Sequence, residues 1–202
     1  FDKMNFQIKY GFPMYGRDCS DSFNYRYLFI LMKNYYDSSL VGNYAMALQA
    51  SEVILYIPRT LSTVLFPYFT SNTLNQNKIK KILLIFIPSI FATLFLCLFL
   101  YPFIIQFLYN DKYILSIGIF KILLIGIFFI SILSVFEAYI LSENKQIILT
   151  ISSIISALFL LVISFVIMPV ESLSTLALTN SLIMFIYFLL VICLFYKNIY
   201  NE

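Results

Sequence analysis

Glu52 and Arg59 stand seven residues apart in "QASEVILYIPRTLSTVLFPY", Gln49 to Tyr68, inside a run that is otherwise mostly apolar. At about 100° per residue of an α-helix, Gln49, Glu52, Tyr56, Arg59 and Thr63 fall within one arc. The preceding stretch, "SDSFNYRYLFILMKNYY", repeats the pattern: Ser22, Arg26, Phe29 and Lys33 share one stripe. Counted at about 1.5 Å per residue from the connection at residues 37–43, Arg26 lies roughly 15 Å deep and Glu52 roughly 12 Å. Lys33 sits near that connection, and Arg59 lies roughly 22 Å from it. Two kinds of chemistry follow. Arg26 and Glu52 are placed to form a structural ion pair between two antiparallel helices. Alternatively the stripes line a hydrophilic, net-positive cleft that attracts an anionic substrate. Pairing with Glu52 leaves Arg59 and Lys33 unexplained, which favours the cleft for those two. Lys121, about 10 Å into its own helix, either joins that cleft or snorkels to the interface. Glu137 is expected at the interface near Lys145.

The elements that must hold these residues are membrane helices. Of 202 residues, 61% are hydrophobic and 11% charged, and mean hydropathy is +0.91. A soluble domain carries roughly 25% charged residues, so this chain lacks the polar surface to enclose its own apolar content. A membrane span needs about 20 largely apolar residues. Residues 82–109, 114–141, 147–168 and 173–196 meet this plainly. Residues 44–66 and 20–36 are added as spans despite their charges. The expected architecture is all-α: a cytoplasmic lead-in over residues 1–19, then a six-helix transmembrane lobe over 20–202. The connection at 71–81, "SNTLNQNKIKK", reads as an amphipathic or solvated cytoplasmic link. With both termini cytoplasmic, the inner segments hold Lys3, Lys9, Arg17, Lys78, Lys80, Lys81, Lys145 and Lys197, whereas Lys112 and Lys33 lie outside. That is the positive-inside bias. The chain begins at Phe1 and no apolar leader follows Lys3, so it is expected to be the C-terminal part of a longer chain or a truncated reading frame.

Intramembrane charges usually face a bundle interior or a water-filled cavity, because a central Arg, Lys or Asp costs about 2.5–3.5 kcal/mol on the insertion scale. Pro58, Pro67, Pro88 and Pro102 each free a backbone carbonyl. The serines of "TISSIISALFLLVIS", with Ser174, Thr175 and Ser181, suit close helix packing. The three cysteines, Cys19, Cys97 and Cys193, are far apart and read as small apolar residues. There is no histidine, which excludes a His base or His metal site. No nucleophile–base pair, metal cluster or glycine-rich phosphate loop appears in the sequence. A non-enzyme without cofactor, not bound to nucleic acid, is the expectation.

Several segments resemble polysaccharide flippases of the multidrug/oligosaccharidyl-lipid/polysaccharide exporter superfamily. "FPMY" precedes "YRYLFILMKNYYDSSLVGNYAMALQASEVILYIPRTLSTVLFPYFTS". It is similar to that family's seventh and eighth helices, with Arg26, the Val41-Gly42-x-Tyr44 turn and Pro67 in matching places. "ILSENKQIILTISSIISALFLLVISFVIMP" is similar to the family's tenth-to-eleventh helix junction. Tyr25 stands where the family often has Asp, and "SLSTLAL" where it often has a Gly-Ala pair. The resemblance implies one lobe of a two-lobe, twelve-helix transporter. It implies alternating access that carries an undecaprenyl-diphosphate-linked oligosaccharide across the bacterial cytoplasmic membrane, for O-antigen, lipopolysaccharide or capsule. A coupling ion (H⁺ or Na⁺), membrane lipid and other polysaccharide-assembly membrane proteins are the implied partners. The substrate-binding candidates are Arg26, Lys33, Glu52, Tyr56, Arg59 and Lys121, with Tyr25 and Tyr56 suited to sugars. Other readings stay open: a drug/cation antiporter of the same superfamily, a membrane-embedded glycan polymerase or acyltransferase, and an inactive gene remnant.

Overall fold

The computed structural model describes residues 2–70, 76–167 and 172–200. They form six α-helices and one short 3-10 turn: α1 Asp2–Tyr35, α2 Ser38–Thr70, α3 Gln76–Tyr109, the turn Asn110–Tyr113, α4 Ile114–Ser142, α5 Gln146–Ile167 and α6 Leu173–Tyr200. Four stretches are long and apolar enough to cross a membrane: Ser38–Thr70, Leu84–Ser142, Gln146–Val166 and Leu173–Asn198. The second contains both α3 and α4. At 59 residues it would extend about 89 Å as one helix, nearly three times the ~30 Å hydrocarbon core. It folds back at Asn110, which takes φ 50°, a left-handed conformation that asparagine tolerates. Asn144 (φ 56°) does the same after α4. There the amide of Asn144 donates to the Leu141 carbonyl and that of Lys145 to the Ile140 carbonyl, closing the helix as a Schellman motif. "NDK" and "SENKQ" therefore break the chain where the sequence places the breaks.

The lead-in differs from expectation. No structural break falls at residue 19, because α1 is continuous from Asp2. Pro13 and Gly16 already pack on α5: the Thr150 hydroxyl donates to the Pro13 carbonyl at 2.8 Å, and Gly16 faces Thr150. The expected link at 71–81 lies partly outside the described residues, with α3 already helical from Gln76.

Cross-helix contacts fix the directions. Ser116 on α4 meets Asn43 on α2, and Ser134 meets Ser62, so α2 and α4 run parallel. Ser181 reaches the Ile122 carbonyl and Tyr187 reaches Glu137, so α6 runs parallel to both. Asp21, Asn24 and Tyr27 meet Ser153, Ser156 and Ser164, which aligns α1 with α5. Tyr101 stacks on Phe120 while Phe91 meets Phe128, so α3 runs against α4. α4 is the hub, packed against α2, α6 and α3. α5 joins α6 to α1, and α1 touches α2 only slightly despite their two-residue connection. The result is an arc, α2–α4–α6–α5–α1, whose ends almost meet.

α4 can be central because its buried positions include Ser116, Gly126, Ser131 and Ser134, small residues that let neighbouring backbones approach. A Cβ on Gly126 would lie 2.7 Å from Met184 Sδ and 2.9 Å from Ser181 Cα. The second is backbone and cannot swing away. Gly126→Val should therefore lower stability by about 1–3 kcal/mol. Gly118→Ala, where no atom lies within 4 Å, should leave it unchanged or raise it by about 1 kcal/mol or less. Thermal unfolding of the detergent-purified variants measures both.

Candidate functional site

α1 is too polar to count among the apolar stretches, and its polar side chains find partners on one side. The serines of α5 serve as a rail. Ser153 Oγ donates to Asp21 Oδ1 at 2.7 Å, Asn24 Nδ2 donates to Ser156 Oγ at 3.2 Å, and the Tyr27 and Ser164 hydroxyls meet at 3.2 Å. Ser156 and Ser164 in turn donate to their own helix, at the Ser153 and Leu161 carbonyls. Thus the serines expected to favour close packing do so as a polar seam.

The second anchor is Arg17. Its Nη2 lies 2.6 Å from Glu137 Oε1, and its Nε lies 3.6 Å from Asp21 Oδ2, one turn along. The Arg17 and Glu137 side chains retain 13% and 15% of their exposure. The Tyr187 hydroxyl also donates to Glu137, at 3.3 Å. One guanidinium thereby joins α1, α4 and, through Glu137, α6. Glu137 is not an interfacial residue as expected: it belongs to this interior cluster.

A cavity of about 50 Å³ lies over the cluster, bordered by all five helices of the arc, with Arg17, Asp21, Asn24, Arg59, Glu137 and Tyr187 in its wall. At about 10–15 Å³ per water by this measure, it has room for a few waters. Arg17 Nε and Asn24 Oδ1 are buried there without a hydrogen-bond partner. The cavity opens toward a vestibule of about 470 Å³ between α1 and α2, which adds Asp18, Ser22, Ser62 and Thr63 to the wall.

The expected residues are distributed unevenly. Arg59 lines both spaces, within hydrogen-bonding reach of Tyr25. Pro58 next to it points the other way and is buried beside Ile54 and Ser131. Glu52 is half-buried, and Arg26, Lys33 and Tyr56 are exposed. The charged members of both stripes thus lie along the open seam, whereas Phe29 packs on the core against Tyr44 and Gln49 lines the space between α2 and α3. The Arg26–Glu52 pair does not form: the ion pairs of this region join Arg17 to Asp21 and Glu137, and Glu52 is attracted first by Arg59 and second by Arg26. Arg26 and Glu52 sit on helices that scarcely touch, so equal depth does not bring them into contact. Lys121 lines none of these cavities. It is exposed on α4 along with Ile114, Gly118 and Ile125, a lipid-directed face from which a long amine can snorkel.

The net charge of the vestibule also differs from expectation. Its wall holds Arg17 and Arg59 against Asp18, Asp21 and Glu137, which is net negative. The cationic surplus lies further along the seam, at Arg26 and Lys33. Sequence reasoning missed Arg17, Asp21, Glu137 and Tyr187. The four-residue spacing of Arg17 and Asp21 was the available signal, together with the register of Gly126, Ser134 and Glu137 on one face of α4.

The apolar helices define a multi-pass α-helical membrane protein. Neither protein-family models, nor curated proteins, nor solved structures match the chain.

Removing one partner of a largely buried ion pair costs about 3–5 kcal/mol, because the other charge is stranded. Arg17→Met and Glu137→Leu should each show a loss of that order in unfolding experiments. The double variant should lose clearly less than the sum, since neither charge is then left alone. Additive losses would show that the two residues act independently.

Proposed function

We propose that the chain is a lobe of a flippase. It would carry an undecaprenyl-diphosphate-linked oligosaccharide across the bacterial cytoplasmic membrane by alternating access, in surface-polysaccharide biosynthesis. The observation that carries this reading is the open seam between α1 and α2. Arg26, Lys33 and Arg59 line or flank it, and none of them forms an ion pair among the described residues. Asp21 and Glu137 are engaged by Arg17, so along the seam Arg26, Lys33 and Arg59 stand against Glu52 and against Asp18 of the vestibule wall. A diphosphate head group offers matching anionic oxygens, and exposed Tyr56 and nearby Tyr25 offer rings for sugar faces. Charged residues at membrane depth need water or a partner. A second six-helix lobe of the same transporter, closing over the seam, supplies such a cleft. The Asp21–Arg17–Glu137 cluster is the natural place for the coupling cation, H⁺ or Na⁺. Its position near the ends of the arc would link protonation or ion occupancy to seam opening.

The interior carboxylates also favour a second reading, the drug/cation antiporter. Complementation separates the two. In a flippase-null strain, the encoding gene should restore surface polysaccharide, and Arg59→Gln/Lys33→Gln should reduce it at least tenfold at equal protein level. Full export by that double variant would refute the cleft assignment. Drug resistance without restored polysaccharide would establish the antiporter.

A further inference from the structure

On the other side of α2 lies a groove of about 410 Å³ between α2 and α3, floored by Phe120 of α4. Its walls are mostly apolar, formed by Met46, Val53, Cys97, Leu100, Ile104 and Leu108, with Gln49 of α2 as the polar exception. Tyr101 presents its ring to the groove, since its hydroxyl is bonded to Ser116 Oγ at 3.0 Å. From Cys97 to Tyr109 the groove follows twelve residues of α3, about 18 Å. That is close to half the ~30 Å hydrocarbon core, the depth of one leaflet. An extended acyl chain of one leaflet has that length, so the groove matches a single hydrocarbon chain from end to end.

The mouth of the groove has its own chemistry. Tyr109, at the rim, packs edge-on against Tyr113 at 5.3 Å, and Lys112 Nζ lies 5.6 Å from the Tyr113 ring centre. Gly42 of α2 lies against this corner: a Cβ there would be in ordinary contact with the Tyr113 ring at 3.6 Å. Tyrosine rings beside a lysine at a helix end are the residues that settle at headgroup level. Asp111 is exposed beside Lys112, so the mouth offers one cation to a single negative charge and is no basic patch for a polyanion.

We propose that the α2/α3 groove is a binding site for a monoanionic phospholipid of that leaflet, with one acyl chain along the groove and the phosphodiester at Lys112. The site is separate from the polar seam and stands whether or not the chain is a flippase. Native mass spectrometry of the detergent-purified protein, titrated with phosphatidylglycerol or phosphatidylcholine, tests it. The wild type should retain one phosphatidylglycerol in preference to phosphatidylcholine. Val53→Trp, at a 62% exposed position that can take the ring without disturbing the core, should abolish that retention. Lys112→Gln should weaken phosphatidylglycerol about fivefold, the worth of one lysine near a headgroup, and leave phosphatidylcholine unchanged. Val162→Trp, equally exposed but on α5, should behave as wild type. Wild-type retention by Val53→Trp would overturn the proposal, as would equal affinity of the unmodified protein for the two lipids.

Discussion

A helix carrying Arg17, Asp18, Asp21, Asn24, Arg26 and Lys33 does not partition into hydrocarbon by itself. At about 2.5–3.5 kcal/mol for each central charge, α1 depends on what surrounds it. The rest of the bundle can be understood as the means of holding it. The α5 serines meet Asp21, Asn24 and Tyr27 in succession. Glu137 reaches Arg17 from the opposite wall. Without those partners α1 would expose donors and acceptors to lipid, where each unmet group costs several kcal/mol.

This requirement accounts for features that look unrelated in the sequence. α5 must be apolar toward lipid and hydroxylated toward α1, so Ser152, Ser153, Ser156 and Ser164 are buried while Leu158, Val162 and Phe165 are exposed. α4 must bring a carboxylate to Arg17 while staying close to α2 and α6. Small residues at Gly126, Ser131 and Ser134 meet the second demand, and Glu137, one turn further, meets the first. The polar network and the close packing are two consequences of one helix arrangement.

Helix ends were largely legible. The breaks at 110–112 and 142–146 fall where expected because Asn, Asp and Lys interrupt long apolar runs, and the two asparagines adopt the conformation that ends a helix. The start of α1 was not legible. Nothing marks Pro13, Gly16 and Arg17 as part of the bundle, since contacts with α5 and Glu137 hold them there and not hydrophobic periodicity. A helical wheel groups the stripes on α1 and α2 but does not say what a face meets. Arg26 and Glu52 have similar depths on adjacent elements, yet they sit at the two ends of the arc. Arg17 and Glu137, 120 residues apart in sequence, form the pair instead, and sequence spacing carries no signal for such a contact.

Around its axis α2 meets three environments roughly 120° apart. Ala47, Ser51, Ile54 and Pro58 face α4; Met46, Ala50 and Val53 face the apolar groove; Glu52, Arg59 and Thr63 face the seam. Turning α2 about its axis would carry a carboxylate and a guanidinium toward hydrocarbon, so its orientation is fixed by solvation as well as by packing. Its most extensive partner is α4, and it touches α1 only slightly. Displacement at the α1/α2 seam therefore disturbs little packing, with α1 and α5 moving together and α6 joining them to α4. The Arg17–Glu137 contact crosses from one group to the other. Any widening of the seam by movement of α1 must stretch or break it, so the ion pair opposes separation of α1 from α4.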